Sequence, residues 1–348
     1  MDRGACRHAD ANLARRRKVS ISVIGAGGWG TAVSRLLALD GSDVTLWARR
    51  PRVAEAIDRE RENVDYLPGI ELPRKHLSVT SSLPEAIAAE VIVLAVPSFS
   101  MRGIMAQIAT LVTEKKVYVN LAKGLDHDSH RTMSDVIAEA VDARGVFTLS
   151  GPSHAEEVGR DMPTAVVLAG CDQEMGRDLQ SLFSTPRFRV YSSEDIHGVE
   201  LCAAVKNVIA IATGISDGLG FGDNTRGALI TRGLAEMVRF GREFVTSERT
   251  FFGLAGLGDL VATCTSKHSR NRFVGFRIGG GEPISQIMGD MKMVAEGVYA
   301  TEIVHLLAEE KRIEMPITEA VYRILYQRAS PREMINEMMT RPPKHEEA

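Results

Sequence analysis

Short apolar segments rich in β-branched residues recur through the first half of the chain, separated by segments with helical patterns. They lack regular polar alternation, as expected where helices cover both faces of a sheet. The seven predicted strands are Val19–Ile24, Asp43–Ala48, Val91–Val96, Lys116–Ala122, Val146–Ser150, Thr164–Leu168 and Phe188–Tyr191. Gly28–Leu39, rich in alanine and leucine, predicts the first helix. This alternation predicts βαβ units with a parallel sheet, an α/β Rossmann-type doubly wound fold.

The pattern changes after about residue 195, where long helical stretches replace the strand-like runs. We expect helices at 195–217, 226–245, 255–265, 283–290, 297–310 and 316–326. The chain therefore divides into a basic tail (1–18), a nucleotide-binding domain (19–194), an all-helical C-terminal domain for substrate and catalysis (195–335) and a second tail (336–348). No low-complexity linker separates the two domains, so we expect them to pack together around a ligand cleft.

Composition limits the function classes. The 348 residues are 44% hydrophobic and 25% charged, with a net charge of -3, which excludes a globally basic nucleic-acid-binding protein. No apolar run reaches the roughly 18 residues of a transmembrane helix. The cysteines, Cys6, Cys171, Cys202 and Cys264, are scattered without a CxxC pair, so neither a metal site nor a disulfide framework is expected. We expect a cytoplasmic protein.

The first 18 residues differ from the rest in charge. Six basic residues against Asp2 and Asp10 give this tail a charge of about +4, and it lacks the apolar core of a secretory signal. One interpretation is a disordered tail or an upstream start codon. The other is an Arg-rich transit peptide, which the two acidic residues and the shortness of the tail disfavour.

A glycine motif follows the first predicted strand. Val19–Ile24 leads directly into Gly25-Ala-Gly-Gly-Trp-Gly30, and a helix follows. Between a strand and a helix, GxGxxG predicts a dinucleotide site. Gly25 allows the tight turn, Gly27 lets the backbone approach the pyrophosphate, and Gly30 permits close packing of helix and strand. The diphosphate would lie on the free N–H groups at the start of the helix.

The end of the second strand bears on the choice of cofactor. NAD-specific sites usually place a carboxylate about 20 residues after the glycine motif. Here no carboxylate lies between Val44 and Ala54, and the strand ends at Arg49-Arg50-Pro51-Arg52. An arginine can pair with a 2′-phosphate, although these arginines could also be solvated surface residues. The sequence favours NADP(H), with NAD(H) as the alternative.

Two polar residues interrupt a segment that is otherwise apolar almost all round. Leu201–Ala212 predicts a buried helix, and Lys206 and Asn207 are its strongly polar members. A buried lysine must be paired or neutral, and burial lowers its pKa towards values suited to proton transfer. The alternative is a lysine whose head reaches water. Asp259, after a glycine-rich run, could be its partner or simply a helix cap.

Three further segments carry candidate ligand-binding groups. Thr263 and the segment Lys267–Asn271 combine hydroxyls with adjacent Arg270 and Asn271, which suit a phosphate or carboxylate, or else form a solvated helix face. Lys123-Gly124 and Ser150–Ser153 each follow a predicted strand, where residues of parallel sheets face the ligand crevice. Together these residues indicate a reductase for a small anionic carbonyl compound.

In order and spacing, the motifs resemble the NAD(P)-dependent glycerol-3-phosphate dehydrogenase family, particularly its bacterial members. The similarity covers residues 19 to about 330. The matching segments are Gly25–Gly30, Lys123–Leu125, Ser150–Ser153, Val205–Ala210, Gly222–Arg226, Ala228–Gly233, Gly256–Leu260, Ser269–Asn271 and Glu296-Gly297. Gly28-Trp29 departs from the pattern, because many members have Ser-Tyr, Ser-Trp or Asn-Trp there. This should alter contacts to the diphosphate without abolishing them.

The resemblance implies roles for individual residues. Lys206 would be the proton donor and acceptor, Lys123 a second cation beside substrate and nicotinamide, and Asp259 the group that orients Lys206. The implied substrate-binding positions are Lys123, Gly151, Ser153, Lys206, Asn207, Asp259, Thr263, Ser269, Arg270 and Asn271. The implied cofactor positions are Gly25, Gly27, Gly28, Trp29, Gly30, Arg49, Lys123, Ala155, Arg270, Val294 and Glu296.

The resemblance also implies an activity: reversible hydride transfer that reduces dihydroxyacetone phosphate to sn-glycerol 3-phosphate, by a homodimer that supplies the glycerophospholipid backbone. Ketopantoate and β-hydroxyacid reductases share the nucleotide motif, but their substrate residues do not replace GLGDL and SRN here. A non-catalytic NADP-binding sensor would be expected to lack one of the lysines or Asp259, and all three are present.

Overall fold

One large sheet organises the first half of the chain in the computed structural model, which describes residues 19–244, 246–291, 294–343 and 345–346. The basic tail predicted at 1–18 lies outside these residues. The strands are β1 (Ile21–Ile24), β2 (Val44–Trp47), β3 (Glu62–Asn63), β4 (Leu67–Glu71), β5 (Leu77–Thr80), β6 (Val91–Leu94), β7 (Val117–Asn120), β8 (Gly145–Ser150), β9 (Thr164–Ala169) and β10 (Phe188–Ser193). Eight of them form the main sheet in the order β10-β9-β8-β7-β6-β1-β2-β5, and β3 pairs with β4 in a hairpin.

Helices connect these strands and cover both faces of the sheet, as the Rossmann-type prediction requires. They are α1 (Gly28–Leu39), α2 (Pro51–Glu60), α3 (Leu83–Ala86), α4 (Ser98–Ala109), α5 (Met133–Ala140), α6 (Ala155–Gly159) and α7 (Gln173–Phe183). Apolar side chains from the two faces of the sheet form separate clusters, one containing Val23 and Val93 and the other Ile24 and Leu94. The double covering explains why the strands read as continuous apolar runs.

The sheet departs from the predicted parallel arrangement at one edge. β8 pairs with β9 in antiparallel register, with Leu149 opposite Leu168. β9 and β10 are parallel to each other. The short helix α6 does not carry the chain back along the sheet, so the chain enters β9 from the end where β8 finished. The loop after β8 therefore remains at the edge where β1, β6 and β7 also end.

The second half is helical, as expected. Its elements are α8 (Ile196–Gly218), α9 (Asp223–Arg242), α10 (Glu248–Phe252), a π-helical turn (Leu254–Gly258), α11 (Asp259–Thr265), α12 (Arg270–Gly279), α13 (Ile284–Asp290), α14 (Glu296–Lys311), α15 (Pro316–Gln327) and α16 (Pro331–Met339). The sequence pattern missed α12, in which arginines and glycines weaken the helical signal. It also missed the short helix α10, the last helix α16, the edge strand β5 and the hairpin of β3 and β4. The last helix also continues into the segment predicted as a tail from 336.

Helix α8 forms the centre of the helical half. In the described part of the chain it is the one helix long and apolar enough to cross a membrane, and the whole of its most apolar 18-residue window is buried inside the protein. It therefore serves as a core helix. α9, α11, α12 and α14 pack around it, and together they bury a third apolar cluster that includes Val208, Ile211 and Val304.

Glycines allow the backbones of α8 and α12 to touch. A Cβ atom built on Gly214 would lie 2.1 Å from the carbonyl oxygen of Arg272, and one on Gly275 would lie 2.1 Å from the carbonyl oxygen of Ile211. Gly218 repeats this close approach one turn further along α8. No larger residue fits at these contacts without separating the helices. This crossing sets the position of the first turn of α12 relative to α8.

We predict that Gly275→Ala lowers the free energy of unfolding by about 1–3 kcal/mol, because the added methyl group meets backbone that cannot move aside. Gly103→Ala is the matched control. Gly103 is exposed within α4, and a Cβ atom there would meet nothing within 4 Å, so this variant should be neutral or slightly stabilised. Urea denaturation of both variants checks the prediction, and equal effects would contradict it.

Candidate active site

The candidate residues meet where the carboxyl ends of β1, β6, β7 and β8 face the helical half. Lys123 follows β7, while Gly151 and Ser153 follow β8. α8 supplies Lys206, and the first residue of α11 is Asp259. The site is thus assembled from both halves of the chain.

An ion-paired triad lies at the centre of this site. Oδ1 of Asp259 lies 2.7 Å from Nζ of Lys206, and its Oδ2 lies 2.9 Å from Nζ of Lys123. Lys206 also donates a hydrogen bond of 2.6 Å to Oγ1 of Thr263, whose hydroxyl donates to Oδ1 of Asp259 at 3.3 Å. The prediction that Asp259 could be the partner of Lys206 is met in the geometry. Asp259 does not cap α11 through its side chain.

Burial and mutual charge set the protonation of the triad. Burial lowers the pKa of Lys206 to about 8; the negative charge of Asp259 opposes this shift, and the positive charge of Lys123 adds to it. Burial alone would raise the pKa of Asp259, but the charges of Lys123 and Lys206 outweigh it and hold that pKa below its usual value. Near neutral pH the triad therefore combines one carboxylate with an ammonium group poised to release its proton.

A second set of contacts links Lys123 to the loop after β8. Its ammonium group donates to the carbonyl oxygen of Gly151 at 2.9 Å and reaches Oγ of Ser153 at 3.5 Å. The hydroxyl of Ser153 donates to the same carbonyl at 2.8 Å. Gly151 has φ of 132°, which favours glycine, and a Cβ atom there would approach Val166 at 3.1 Å. These contacts place Gly151 and Ser153 beside the triad.

Amide side chains extend the site towards α12 and α14. Nδ2 of Asn207 donates to the carbonyl oxygen of Lys123 at 3.0 Å, and Nδ2 of Asn271 donates to Oδ1 of Asn207 at 2.8 Å. The backbone N–H of Gly297 then donates to Oδ1 of Asn271 at 3.0 Å. The chain of bonds fixes the orientation of both amides. It also joins the loop after β7 to three helices.

The remaining predicted positions on α12 and α14 lie at the edge of the site. Ser269 caps α12, its hydroxyl accepting from the backbone N–H of Arg272. The guanidinium of Arg270 is exposed and donates to the carbonyl oxygen of Val294 at 2.7 Å. Oε1 of Glu296 accepts from the backbone N–H of Ser98, at the start of α4, at 2.9 Å. Glu296 thereby contacts the loop after β6.

The glycine motif has the geometry that a dinucleotide requires. Gly25 has φ of 121°, and a Cβ atom there would lie 2.6 Å from the carbonyl oxygen of Ala95. A Cβ atom on Gly30 would lie 2.0 Å from the carbonyl oxygen of Gly25, so helix and strand pack closely. A Cβ atom on Gly27 would meet no other atom within 4 Å, so this residue faces open space. The backbone is thus accessible where a pyrophosphate would approach.

The departure at Gly28 also has a physical explanation. A Cβ atom there would lie 2.7 Å from the carbonyl oxygen of Tyr66, in the loop between β3 and β4, and 3.5 Å from Cβ of Ala155. The hairpin therefore leaves no room for a serine or asparagine side chain at this position. Ala155 lies next to the glycine motif, as its predicted role in cofactor binding requires.

Trp29 and Arg49 make no described hydrogen bond to the residues of the triad. The indole ring of Trp29 tilts against Phe188 with ring centroids 6.3 Å apart, and its N–H is buried without a hydrogen-bond partner in the described residues. Arg49 is exposed at the end of β2, while its neighbour Arg50 donates to the hydroxyl of Tyr66 at 3.1 Å. Both arginines lie on the side of β2 next to the glycine motif, because β1 and β2 are paired.

Sequence reasoning missed two titratable residues near the site. His154 lies between Ser153 and Ala155, and its ring nitrogen is 3.4 Å from the carbonyl oxygen of Ala262. Burial, followed by the charges of Lys206 and Lys123, lowers the pKa of His154, so its ring is neutral near pH 7. Its place directly after the Ser150–Ser153 segment was an available signal. Glu200, also missed, lies on α8 directly before the apolar segment Leu201–Ala212 that contains Lys206.

Comparison with known proteins agrees with this geometry. Residues 20–176 match the model of the NAD-dependent glycerol-3-phosphate dehydrogenase N-terminus, and residues 195–336 match the model of the C-terminus. The chain belongs to this glycerol-3-phosphate dehydrogenase family. The resemblance inferred from the motifs is confirmed. Membership decides against the ketopantoate and β-hydroxyacid reductase alternatives.

Individual members of the glycerol-3-phosphate dehydrogenase family cover nearly the whole chain. A relative from Geobacter sulfurreducens, named glycerol-3-phosphate dehydrogenase [NAD(P)+], is 50% identical over 94% of this chain and 98% of its own length. One of the same name from Chlorobium limicola is 48% identical over 94% and 99%. The crystal structure of glycerol-3-phosphate dehydrogenase from Coxiella burnetii has a TM-score of 0.90 at 40% identity, covering 93% of this chain and 99% of that one.

We predict that Asp259→Asn lowers the free energy of unfolding by about 3–5 kcal/mol at pH 7, because the buried ammonium group of Lys206 and the partly buried one of Lys123 lose the carboxylate that they share. Asp142→Asn is the control. It breaks the exposed pair with Lys115, whose side chains are 62% and 77% exposed, and should change stability by less than about 1 kcal/mol. Urea denaturation measures both, and a small effect of Asp259→Asn would show that the triad contributes little.

Proposed function

We propose that this chain is an NAD(P)-dependent sn-glycerol-3-phosphate dehydrogenase. It reduces dihydroxyacetone phosphate to sn-glycerol 3-phosphate in a reversible hydride transfer, which supplies the backbone of glycerophospholipids. The observation that carries this proposal is the Lys123–Asp259–Lys206 triad, with Lys206 and Asp259 buried, at the sheet edge that also carries the glycine motif. The names of the relatives support it, since those proteins act with NAD(P)+ on glycerol 3-phosphate.

The residues present fit a dinucleotide. The accessible backbone at Gly27 and the first N–H groups of α1 can hold the diphosphate. Gly25, Gly28, Trp29, Gly30 and Ala155 surround this turn. Lys123, Arg270, Val294 and Glu296 would hold the nicotinamide end, near the contact between Glu296 and the start of α4. When bound, the cofactor supplies the hydride that reduces C2 of the substrate.

The protein supplies the proton and the electrostatic stabilisation. Lys206, as an ammonium group, donates its proton to the carbonyl oxygen as negative charge develops there, a contribution typically of 10² to 10⁴ in rate. Lys123 stabilises the same charge from the opposite side of Asp259. Asp259 orients both ammonium groups, and Thr263 holds Lys206 through its hydroxyl. In the oxidation direction the neutral amine of Lys206 accepts the proton.

Binding energy from the phosphate positions the carbonyl group. Arg270 and Asn271, with Ser269 before them, form the phosphate site at the start of α12, where the guanidinium is exposed and donates to the carbonyl oxygen of Val294. Gly151, Ser153 and Asn207 line the remainder. Interactions with the unreactive phosphate contribute to catalysis by holding C2 in place.

Three finer points belong to the same proposal. NADP(H) is the preferred cofactor, because Arg49 follows β2 where an NAD-specific site would place a carboxylate. The enzyme acts as a homodimer, and it acts in the cytoplasm. These two points follow from the family resemblance and the scattered cysteines.

The test is loss of absorbance at 340 nm with dihydroxyacetone phosphate and either NADPH or NADH. We expect turnover with both and a higher kcat/KM for NADPH. Arg49→Ala should reduce that preference about tenfold, because it removes a charge-assisted hydrogen bond to the 2′-phosphate. Arg59→Ala, which alters an exposed arginine of α2, should leave the preference unchanged. No turnover by folded protein that binds cofactor would refute the activity, and an unaltered preference in Arg49→Ala would refute the cofactor assignment.

The role of Lys206 has two consequences. Lys206→Ala should lower kcat for reduction by 10² to 10⁴ while leaving cofactor affinity within about twofold. In the wild type, kcat for reduction should fall as pH rises through about 8, because the ammonium form is the acid and is lost above its pKa. The oxidation rate should rise over the same range. Lys115→Ala, on the surface, is the control. Near-normal kcat in Lys206→Ala would exclude it as the acid.

A further inference from the structure

A fully buried carboxyl group lies outside the triad but on the same helix as Lys206. Glu200, on α8, is only 2% exposed. Its Oε1 accepts from Nδ2 of Asn120 at 2.8 Å, Oγ1 of Thr148 at 2.8 Å and the backbone N–H of Ser134 at 3.1 Å. Its Oε2 accepts from Oγ of Ser134 at 2.5 Å. Three separate elements of the first half, β7, β8 and the start of α5, thus converge on one side chain of the helical half.

The partners of Glu200 lead directly to the proposed active site. Asn120 is the last residue of β7, and its Oδ1 accepts from the backbone N–H of Ala122 at 2.9 Å, one residue before Lys123. Thr148 lies in β8, three residues before Gly151. Glu200 itself precedes Lys206 by less than two turns of α8. A single carboxyl group therefore connects the supports of both lysines.

Hydrogen bonds alone hold this carboxyl group. No cationic side chain pairs with it in the described residues, and burial raises the pKa of Glu200 against the opposing effect of its donors. A buried carboxyl without a counter-charge is a poor source of stability compared with an apolar side chain of similar size. Its contribution is to positioning, because four hydrogen bonds from three elements fix where α8 lies against the ends of β7 and β8.

We propose that Glu200 is a positioning residue for the reaction, which holds α8 in the register that brings Lys206 and Lys123 onto the two oxygens of Asp259. The inference rests on the proposed roles of the two lysines. Each lysine takes a different oxygen of Asp259, and the lysines come from different halves of the chain. Their spacing therefore depends on the register between α8 and β7. A displacement of about 1 Å in such a site can reduce the rate about 10²-fold.

Glu236 offers a matched control. It too is a fully buried glutamate of the helical half, and it accepts from the backbone N–H groups of Ile317 and Thr318 and from the hydroxyl of Thr318. Burial raises the pKa of Glu236 to about 7. These partners belong to the start of α15, and neither they nor Glu236 bonds to any residue of the triad. Substitution of Glu236 therefore measures the effect of losing a buried, bonded carboxyl without moving the site.

The experiment compares Glu200→Ala and Glu200→Gln with Glu236→Ala and Glu236→Gln, all assayed well below their melting temperatures. We expect Glu200→Ala to lower kcat about 100-fold with NADPH affinity within twofold. Glu200→Gln should recover kcat to within about fivefold, since its amide oxygen can still accept the three bonds made to Oε1. Both Glu236 variants should lower the melting temperature and leave kcat unchanged.

The pH profile provides a readout that a purely structural role would not move. The charged and titratable groups that act on Lys206 include Asp259, Lys123 and Cys264, and His154 also faces it. If Lys123 moves away in Glu200→Ala, its positive charge no longer lowers the pKa of Lys206, and the alkaline fall in the reduction rate should move to higher pH. The Glu236 variants should keep the wild-type profile. An unshifted profile in Glu200→Ala would overturn the proposal.

A gentler variant covers the case in which Glu200→Ala does not fold. Asn120→Ala leaves Glu200 with its bonds from Ser134 and Thr148 but releases the backbone of Ala122, and kcat should fall about tenfold. Wild-type kcat in the Glu200 and Asn120 variants, or equal kcat losses in the Glu200 and Glu236 variants, would overturn the positioning role. The wild type, assayed in parallel, separates the two hypotheses: its failure to reduce dihydroxyacetone phosphate would refute the proposed function itself.

Discussion

One buried carboxylate shared between two ammonium groups is the constraint around which the site is built. The negative charge of Asp259 opposes the effect of burial on Lys206, and the charges of the two lysines hold the pKa of Asp259 below its usual value. Lys123 comes from the sheet and Lys206 from the helical half. The triad can therefore form only when both halves are folded and correctly placed, so it links the packing of the chain to its chemistry.

Direct hydrogen bonds between neighbouring elements hold the triad in this arrangement. The amide of Asn207 holds the carbonyl of Lys123, and Asn271 holds Asn207 in turn. Glu200 ties α8 to the two strands that lead into the site. Apolar packing around α8 keeps water away from the lysine, which is why its pKa falls so far. Polar groups set the geometry of the site, and the surrounding apolar cluster sets its electrostatics.

Much of this arrangement could be predicted from the sequence because it leaves local signals. Gly28–Leu39 was predicted with the observed bounds, since a strand, a glycine turn and an alanine-rich segment follow in order. Lys206 and Asn207 stood out because polar residues in an apolar helix need partners, and the pairing of Lys206 with Asp259 followed from the same need. The family resemblance then assigned roles that spacing alone left open.

Other features depend on tertiary contacts that no local pattern encodes. The reversal of β9 arises from the short path between β8 and β9, which apolar runs do not reveal. α12 was missed because its glycines, unfavourable for a helix by themselves, are used for contact with α8. Glu200 looked like an ordinary charged residue at the start of a helix, since its donors Asn120, Ser134 and Thr148 are far away in sequence.

The backbone contact between α8 and α12 has a consequence for substrate selection. At Gly214 and Gly275 the backbones of the two helices touch without a side chain between them. A change of rotamer therefore cannot alter the spacing of the helices. On the proposed assignment, α8 carries the proton donor and α12 the phosphate anchor. The distance between the reacting oxygen and the phosphate is then set by the backbone contact of the two helices. A phosphorylated ketone longer by one carbon would be too long for this distance. To bind it, the two helices would have to move apart.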